Sequence, residues 1–338
     1  MRHEKQDRHG VSPTDLTRGV DHHGSADMHT SVVSGEPLIE ETTHVEGHTR
    51  TLWGDAWGRL RKNKLALIAL VWVSLVVAAA ITADLWVPQT FGNPKTIDTQ
   101  TAMAQRLLNP SATHPFGTDD LGRDIFGRVI YGARVSLSVG VVATLIAVVI
   151  GVTLGAVSGF YGKLIDALIM RLTDIFLAFP YILFSILILA ITPPDKRGIW
   201  AVILAIGLLG WPTFARLFRS SVLTVKENDY VMAGRALGAS DLRLMFRHIG
   251  PNAIAPIVVY ATMSIGGAIL AEAALSFLGL GVQPPDISWG RMIDDGRAFL
   301  TTKPLLVLWP GLAILTTVLA FTLLGDGVRD ALDVKMKE

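Results

Sequence analysis

The chain has 338 residues, of which 50% are hydrophobic and 17% charged, with a formal net charge of +1 at pH 7 and no cysteine. The charged share falls below the roughly 25% usual for soluble domains, and the apolar surplus collects in long blocks, which points to lipid rather than to one large soluble core. The near-zero net charge removes the electrostatic basis for nucleic-acid binding, and the lack of cysteine excludes disulfides, thiolate metal sites and cysteine nucleophiles.

Residues 1–50 are rich in His, Ser, Thr, Gly, Asp and Glu and poor in large apolar side chains. Such a segment buries too little apolar area to offset its ordering entropy, so a disordered tail is expected, and no apolar core follows Arg2 and Lys5 as a signal peptide would require. Its histidines His22, His23, His29, His44 and His48 have nothing to fix their geometry, and His44-Val-Glu46-Gly-His48 lacks the zincin spacing. They read as part of a solvated tail.

Residues 51–338 hold six blocks long enough to cross a bilayer, which needs about 20 apolar residues. They run over about 65–87, 137–157, 172–191, 199–218, 253–278 and 305–324, with Pro180 in the third and Pro212 in the fourth marking kinks. Gly151 with Gly155, and Gly266 with Gly267, read as small residues that let helices approach closely. Arg59, Arg61, Lys62 and Lys64 precede the first span, which places the N-terminus in the cytoplasm, and six crossings return the C-terminus there.

The outer loop, 88–134, contains His114-Pro-Phe-Gly-Thr-Asp-Asp-Leu-Gly-Arg-Asp124. Beyond it, Ile125, Val129, Ile130 and Ala133 recur at helical spacing, so an amphipathic helix lying on the outer surface is expected. Asp119, Asp120, Arg123 and Asp124 form either a helix cap or a docking edge, with Asp119 and Asp120 as the expected capping pair. The inner loop, 226–252, reads as two short helices divided at Gly238, the second started by Ser240 and Asp241 and stopped by Pro251. A short helix pair held between spans fits a groove on a cytoplasmic partner, or serves as an ordinary interfacial loop.

This inner loop resembles the coupling loop, or EAA loop, of ABC importer permeases. Met232, Ala233 and Gly234 stand at its Glu-Ala-Ala positions, Gly238 at its glycine, and His248, Pro251 and Asn252 in its closing portion. Met for Glu and Gly for Ala are departures, and they leave no ion pair to assign at Met232. The outer segment 114–124 with 131–137, the stretch 273–285 followed by Trp289 and Gly290, and the stretch 323–333 resemble the C-type permeases of dipeptide and oligopeptide importers. The resemblance covers about residues 53–335. It implies an all-α integral membrane protein of six transmembrane helices with the type I ABC importer permease architecture, seated in the inner membrane. It also implies a homologous second permease chain, two cytoplasmic ATPase subunits that bind ATP and Mg, and an extracytoplasmic solute-binding protein. Short peptides are the expected cargo, with haem, nickel or another small solute as the alternative.

No phosphate loop is present, since Gly162-Lys163 lacks both the upstream glycine and the following Ser or Thr. ATP chemistry is therefore expected on the partners, with no catalytic, metal or cofactor residue in this chain. Residues 226–252 are expected to rest in a cleft of an ATPase, with Arg235, Asp241 and Arg247 as polar contacts, so that closure of the ATPases switches the access of the pathway. Asp174 and Glu272 lie within spans, where charge is costly, and are candidates for pathway or structural roles, Asp174 pairing with Arg171. Asp326, Arg329 and Asp330 are expected to form a network at a helix end. A secondary transporter would show inverted repeats and several midplane acids, and a membrane enzyme a GxSxG, HExxH or similar set; neither pattern is found.

Overall fold

In the computed structural model the described residues are 52–96, 102–193, 196 and 198–333. The expected disordered tail, with its histidines, lies outside the described residues. Among the described residues the architecture is helical, with one isolated β-bridge between Thr118 and Asp124.

A short helix α1 (Leu52–Leu60) leads into α2 (Lys64–Phe91), whose first turn is capped by Asn63 accepting from the Ala66 amide at 3.2 Å. The outer loop then delivers the chain to α3 (Ile125–Tyr161). The expected surface-lying amphipathic helix is not a separate element. It is the first part of α3, whose 37 residues run without interruption for about 55 Å, more than a hydrocarbon core requires. Its apolar residues Ile125, Tyr131, Ala133 and Leu137 are buried against α2 and later elements rather than laid on a lipid surface.

Gly162 (φ +64°) and Lys163 (φ +50°) turn the chain sharply from α3 into α4 (Lys163–Ala178). The third expected span is a broken one. Pro180 lacks an amide hydrogen and disfavours helix at Phe179, so α4 ends there and α5 (Tyr181–Ile191) leaves at 82° to it. The fourth span is α6 (Ile199–Lys226), longer than expected at its later end and carrying Pro212 inside it.

The inner loop holds α7 (Asp229–Ala236), α8 (Asp241–Arg243), a π-helical turn Leu244–Ile249 and α9 (Gly250–Ala253). The fifth span is α10 (Ala255–Phe277), followed by α11 (Trp289–Gly296) and the last span, α12 (Leu305–Leu332). Among the described residues five helices are long and apolar enough to cross a membrane, six if α4 and α5 form one span.

The most extensive packing joins α3 to α6, where glycine removes the side chain. A Cβ at Gly155 would lie 2.5 Å from the Ala215 carbonyl oxygen, and one at Gly159 would lie 2.9 Å from Val222. The reading of Gly151 and Gly155 as close-approach residues therefore describes the α3–α6 contact. Asp166 on α4 reinforces this block, accepting two hydrogen bonds from the Arg219 guanidinium on α6 and one from Ser158 on α3.

Candidate functional site

Two clusters and one buried carboxylate answer to the residues singled out in the sequence. The inner loop stands on a buried foot: Val231, Leu244, Ile249 and Ala253 are at most 1% exposed and pack with Phe214, Phe218 and Val222 of α6. Gly238 (φ +80°) ends α7 in the left-handed region that favours glycine, and the Ala239 amide donates back to the Gly234 carbonyl at 3.1 Å. Gly234 has its own reason to be small, since a Cβ there would lie 3.2 Å from Leu244.

The opposite face of the loop is apolar and open. Met232 is 54% exposed, Leu237 89%, Leu242 68% and Phe246 76%. Arg235, Asp241 and Arg247 are exposed alongside them. Arg235 lies 5.7 Å over the Phe160 ring at the end of α3, and Lys226 donates to the Phe160 carbonyl at 2.5 Å, so two cations meet the C-terminal end of that helix. Ser240 occupies the cap position of α8 but its side chain makes no capping bond. Pro251 does not stop the second helix. It sits within the first turn of α9, where its missing amide hydrogen is harmless, and the break falls at Ile254.

At the other end, Asp119, Arg123 and Asp124 act on the loop itself. Asp119 accepts from the amides of Leu121 and Arg123 at 2.9 Å and pairs with the Arg123 guanidinium at 2.7 Å. Neither Asp119 nor Asp120 caps α3. That position belongs to Asp124, which accepts from the Gly127 amide at 2.7 Å and bonds His114 Nδ1 at 2.9 Å. Burial pushes the Asp124 carboxyl above the usual range, while the Gly127 amide and His114 pull it down. Asp120 is also raised, by burial first and the neighbouring Asp119 charge second. Arg128, 4% exposed, lies 3.5 Å from Asp119 and 3.3 Å from Asp295, linking the outer loop to α11.

Glu272 is fully buried. It accepts from Ser276 at 2.6 Å and from Ser136 of α3 at 3.2 Å, and Ser136 in turn accepts from the Trp289 amide of α11 at 3.2 Å. It therefore ties three elements together. Asp174 pairs with Arg216 of α6 at 2.7 Å rather than with Arg171. Of the expected helix-end group Asp326, Arg329 and Asp330, Asp330 accepts from Asn63 at 3.4 Å, bringing the end of α12 to the start of α2. The sequence reading missed Asp84, which takes hydrogen bonds from Tyr131 at 2.5 Å and Arg134 at 2.7 Å and so fastens α2 to α3. An acid near the end of an apolar block was the available signal.

Comparison with known proteins decides between a transport subunit and its rivals. Residues 151–338 match the family described as binding-protein-dependent transport system inner membrane component, and residues 51–110 match the N-terminal TM domain of oligopeptide transport permease C. The chain belongs to this permease family. Among its relatives is the dipeptide transport system permease protein DppC of Alkalihalophilus pseudofirmus, 46% identical over 84% of this chain and 90% of the relative. Another is the glutathione transport system permease protein GsiD of Pectobacterium atrosepticum, 41% identical over 85% of this chain and 93% of the relative. Of solved structures, a chain of the MetNI methionine ABC transporter in an inward-facing conformation is similar in fold, with a TM-score of 0.50 and 18% identity over 60% of this permease and 96% of that chain. The permease is thus a multi-pass membrane subunit of an ABC importer, a translocation component rather than an enzyme, in a family that works with ATPases and binding proteins.

Proposed function

We propose that this permease forms half of the pathway of an ATP-driven importer of short peptides and takes its drive through the loop 226–252. The observation that carries the coupling is the two-sidedness of that loop. Four large apolar side chains stand exposed on short helices whose other face is anchored in the α6 cluster. Exposed apolar groups on an anchored, rigid foot are what a docking knob requires, because contact buries them without ordering the foot anew. The loop lies between α6 and α10, so displacement of the knob acts on both spans.

The partners in this reading are a homologous second permease chain, two cytoplasmic ATPases that hold ATP and Mg, and a solute-binding protein that docks on the outer loop at the half-buried Asp120 and Arg123, with the buried Asp119 and Asp124 shaping that loop from within. Both termini lie in the cytoplasm, following the basic cluster before α2. Peptide cargo is supported by the named dipeptide and glutathione transport relatives. The test is reconstitution of the four-component importer in proteoliposomes. Phe246→Asp and Leu237→Asp should abolish ATPase association or uncouple hydrolysis from uptake while the permease pair stays assembled. Gly238→Val, which forces a branched side chain into φ +80°, should do the same. Full coupled uptake in all three variants would refute the coupling role.

A further inference from the structure

A cavity of about 410 Å³ lies among α3, α4, α5, α6 and α10 and adjoins the α6 cluster under the inner loop at Phe214. Its size falls in the lower part of the about 300–1,000 Å³ typical of small-molecule sites. Its walls carry five hydroxyl groups, those of Thr144, Tyr181, Thr213, Tyr260 and Ser264, and no Asp, Glu, Lys, Arg or His. Hydroxyls at this depth are unusual furniture for a lipid-facing surface, where uncompensated polar groups are costly. The Thr144 hydroxyl is itself buried and Ser264 donates to the Tyr260 carbonyl one turn back, which leaves Tyr181, Thr213 and Tyr260 as the hydroxyls free to meet a guest.

The position of the cavity matters as much as its lining. Gly210 on α6 lies about 24 Å from the coupling-loop end of that helix, near the middle of its length. The 82° break between α4 and α5 opens onto it at Leu177 and Tyr181, and Pro212 on α6 lies between the lining residues Gly210 and Thr213. Two of its walls, α6 and α10, are the spans that leave the coupling loop. Gly267 on α10 faces open space, since a Cβ there would meet nothing within 4 Å. This separates it from Gly266, whose Cβ would lie 3.3 Å from Val318 and which is small for packing.

We infer that this cavity is a transit subsite for the uncharged amide backbone of the cargo, with Gly267 keeping it open and the hydroxyls exchanging hydrogen bonds with passing peptide groups. The inference rests on the peptide-import reading above and specifies its chemistry. A neutral hydroxyl lining matches amides, which both donate and accept, and is indifferent to the side-chain charge of the peptide. It offers neither imidazole, thiolate nor carboxylate to a divalent cation.

The chain contains no cysteine, which supplies a direct test. Gly267→Cys adds a small side chain to open space and should fold and assemble. In the reconstituted importer, with cysteine-free partner subunits, its dipeptide uptake before modification is the reference for the modified protein. Modification with a bulky water-soluble thiosulfonate should then lower dipeptide uptake at least tenfold, while ATP hydrolysis stimulated by the loaded binding protein persists. Excess dipeptide should slow the modification severalfold, and uptake of a neutral, an acidic and a basic dipeptide should fall alike. Thr213→Val, at an exposed lining hydroxyl, should lower uptake two- to fivefold. Uptake unchanged after complete modification of Gly267→Cys would overturn the subsite and leave the peptide reading standing. An unmodified parental importer that moves no peptide would overturn both.

Discussion

Gly155→Ala is the sharpest probe of the framework that positions the coupling loop. The added Cβ would lie 2.5 Å from the Ala215 carbonyl oxygen and 3.1 Å from both the Arg219 amide nitrogen and the Phe218 Cβ. Non-bonded heavy atoms settle at roughly 3.5 Å or more, so α3 and α6 must part by about 1 Å at this crossing. The carbonyl is backbone and cannot rotate away, so the strain spreads into neighbouring contacts, at a cost of about 1–3 kcal/mol for overpacking. Alanine is the better helix former by about 1 kcal/mol, which opposes the loss. The net expectation is a destabilisation of about 1 kcal/mol, or a fall of about 2–4 °C in the unfolding midpoint of the detergent-solubilised permease. Gly155→Leu should exceed this and reduce assembled complex. Gly267→Ala, which meets no neighbour, is the control and should match or exceed the parent. A midpoint for Gly155→Ala equal to that of the Gly267→Ala control would refute the close-contact account of the α3–α6 seam.

The remaining expectations concern charge. Asp120 is raised by burial and by Asp119, so its contribution to stability is most favourable below the unfolded value near 3.8 and is lost as pH rises through the folded value. Asp120→Asn should therefore raise the unfolding midpoint at pH 7, and the difference should shrink as the pH is lowered toward 4; a constant difference across that range would contradict the assignment. Asp124→Ala removes the cap of α3 and the partner of His114, with an expected loss of about 0.5–2 kcal/mol from the cap alone, measurable as amide exchange at the start of that helix. Arg219→Lys keeps the charge but cannot reproduce the two-armed grip on Asp166, so stability and coupled uptake should both fall, whereas the exposed Arg216→Lys at Asp174 should be nearly silent.

The parts of this fold that the sequence reveals are those governed by local periodicity or backbone chemistry. Apolar runs announce the spans, Gly238 announces the loop's turn, and Pro180 announces a break, though not its 82° angle. The contacts that hold the spans together are less visible. Asp174 has Arg171 three residues away, a natural helical partner, yet its guanidinium comes from Arg216 on another helix. Asp119 and Asp120 look like capping acids because they precede a helix. The loop between them and α3 instead folds back through the Thr118–Asp124 bridge, and only Asp124 reaches the first turn. The outer amphipathic stretch failed for a related reason. Its helical spacing suits a helix lying on the outer surface, whereas α2 and α11 cover the apolar face and the stretch forms the first three turns of α3.

Gly266 and Gly267 show where such reading stops. Side by side on α10, they are indistinguishable by residue type, spacing or flanking hydropathy, and both suit a helix-packing role. The difference arises because adjacent residues on a helix point about 100° apart, so one meets α12 at Val318 while the other meets none of the neighbouring helices. A glycine that lets two backbones touch and a glycine that holds a space open respond oppositely to the same substitution. The first loses stability with function intact per assembled complex, and the second keeps stability while transport falls. That opposition, measured at neighbouring positions of one helix, separates the pathway from its scaffold.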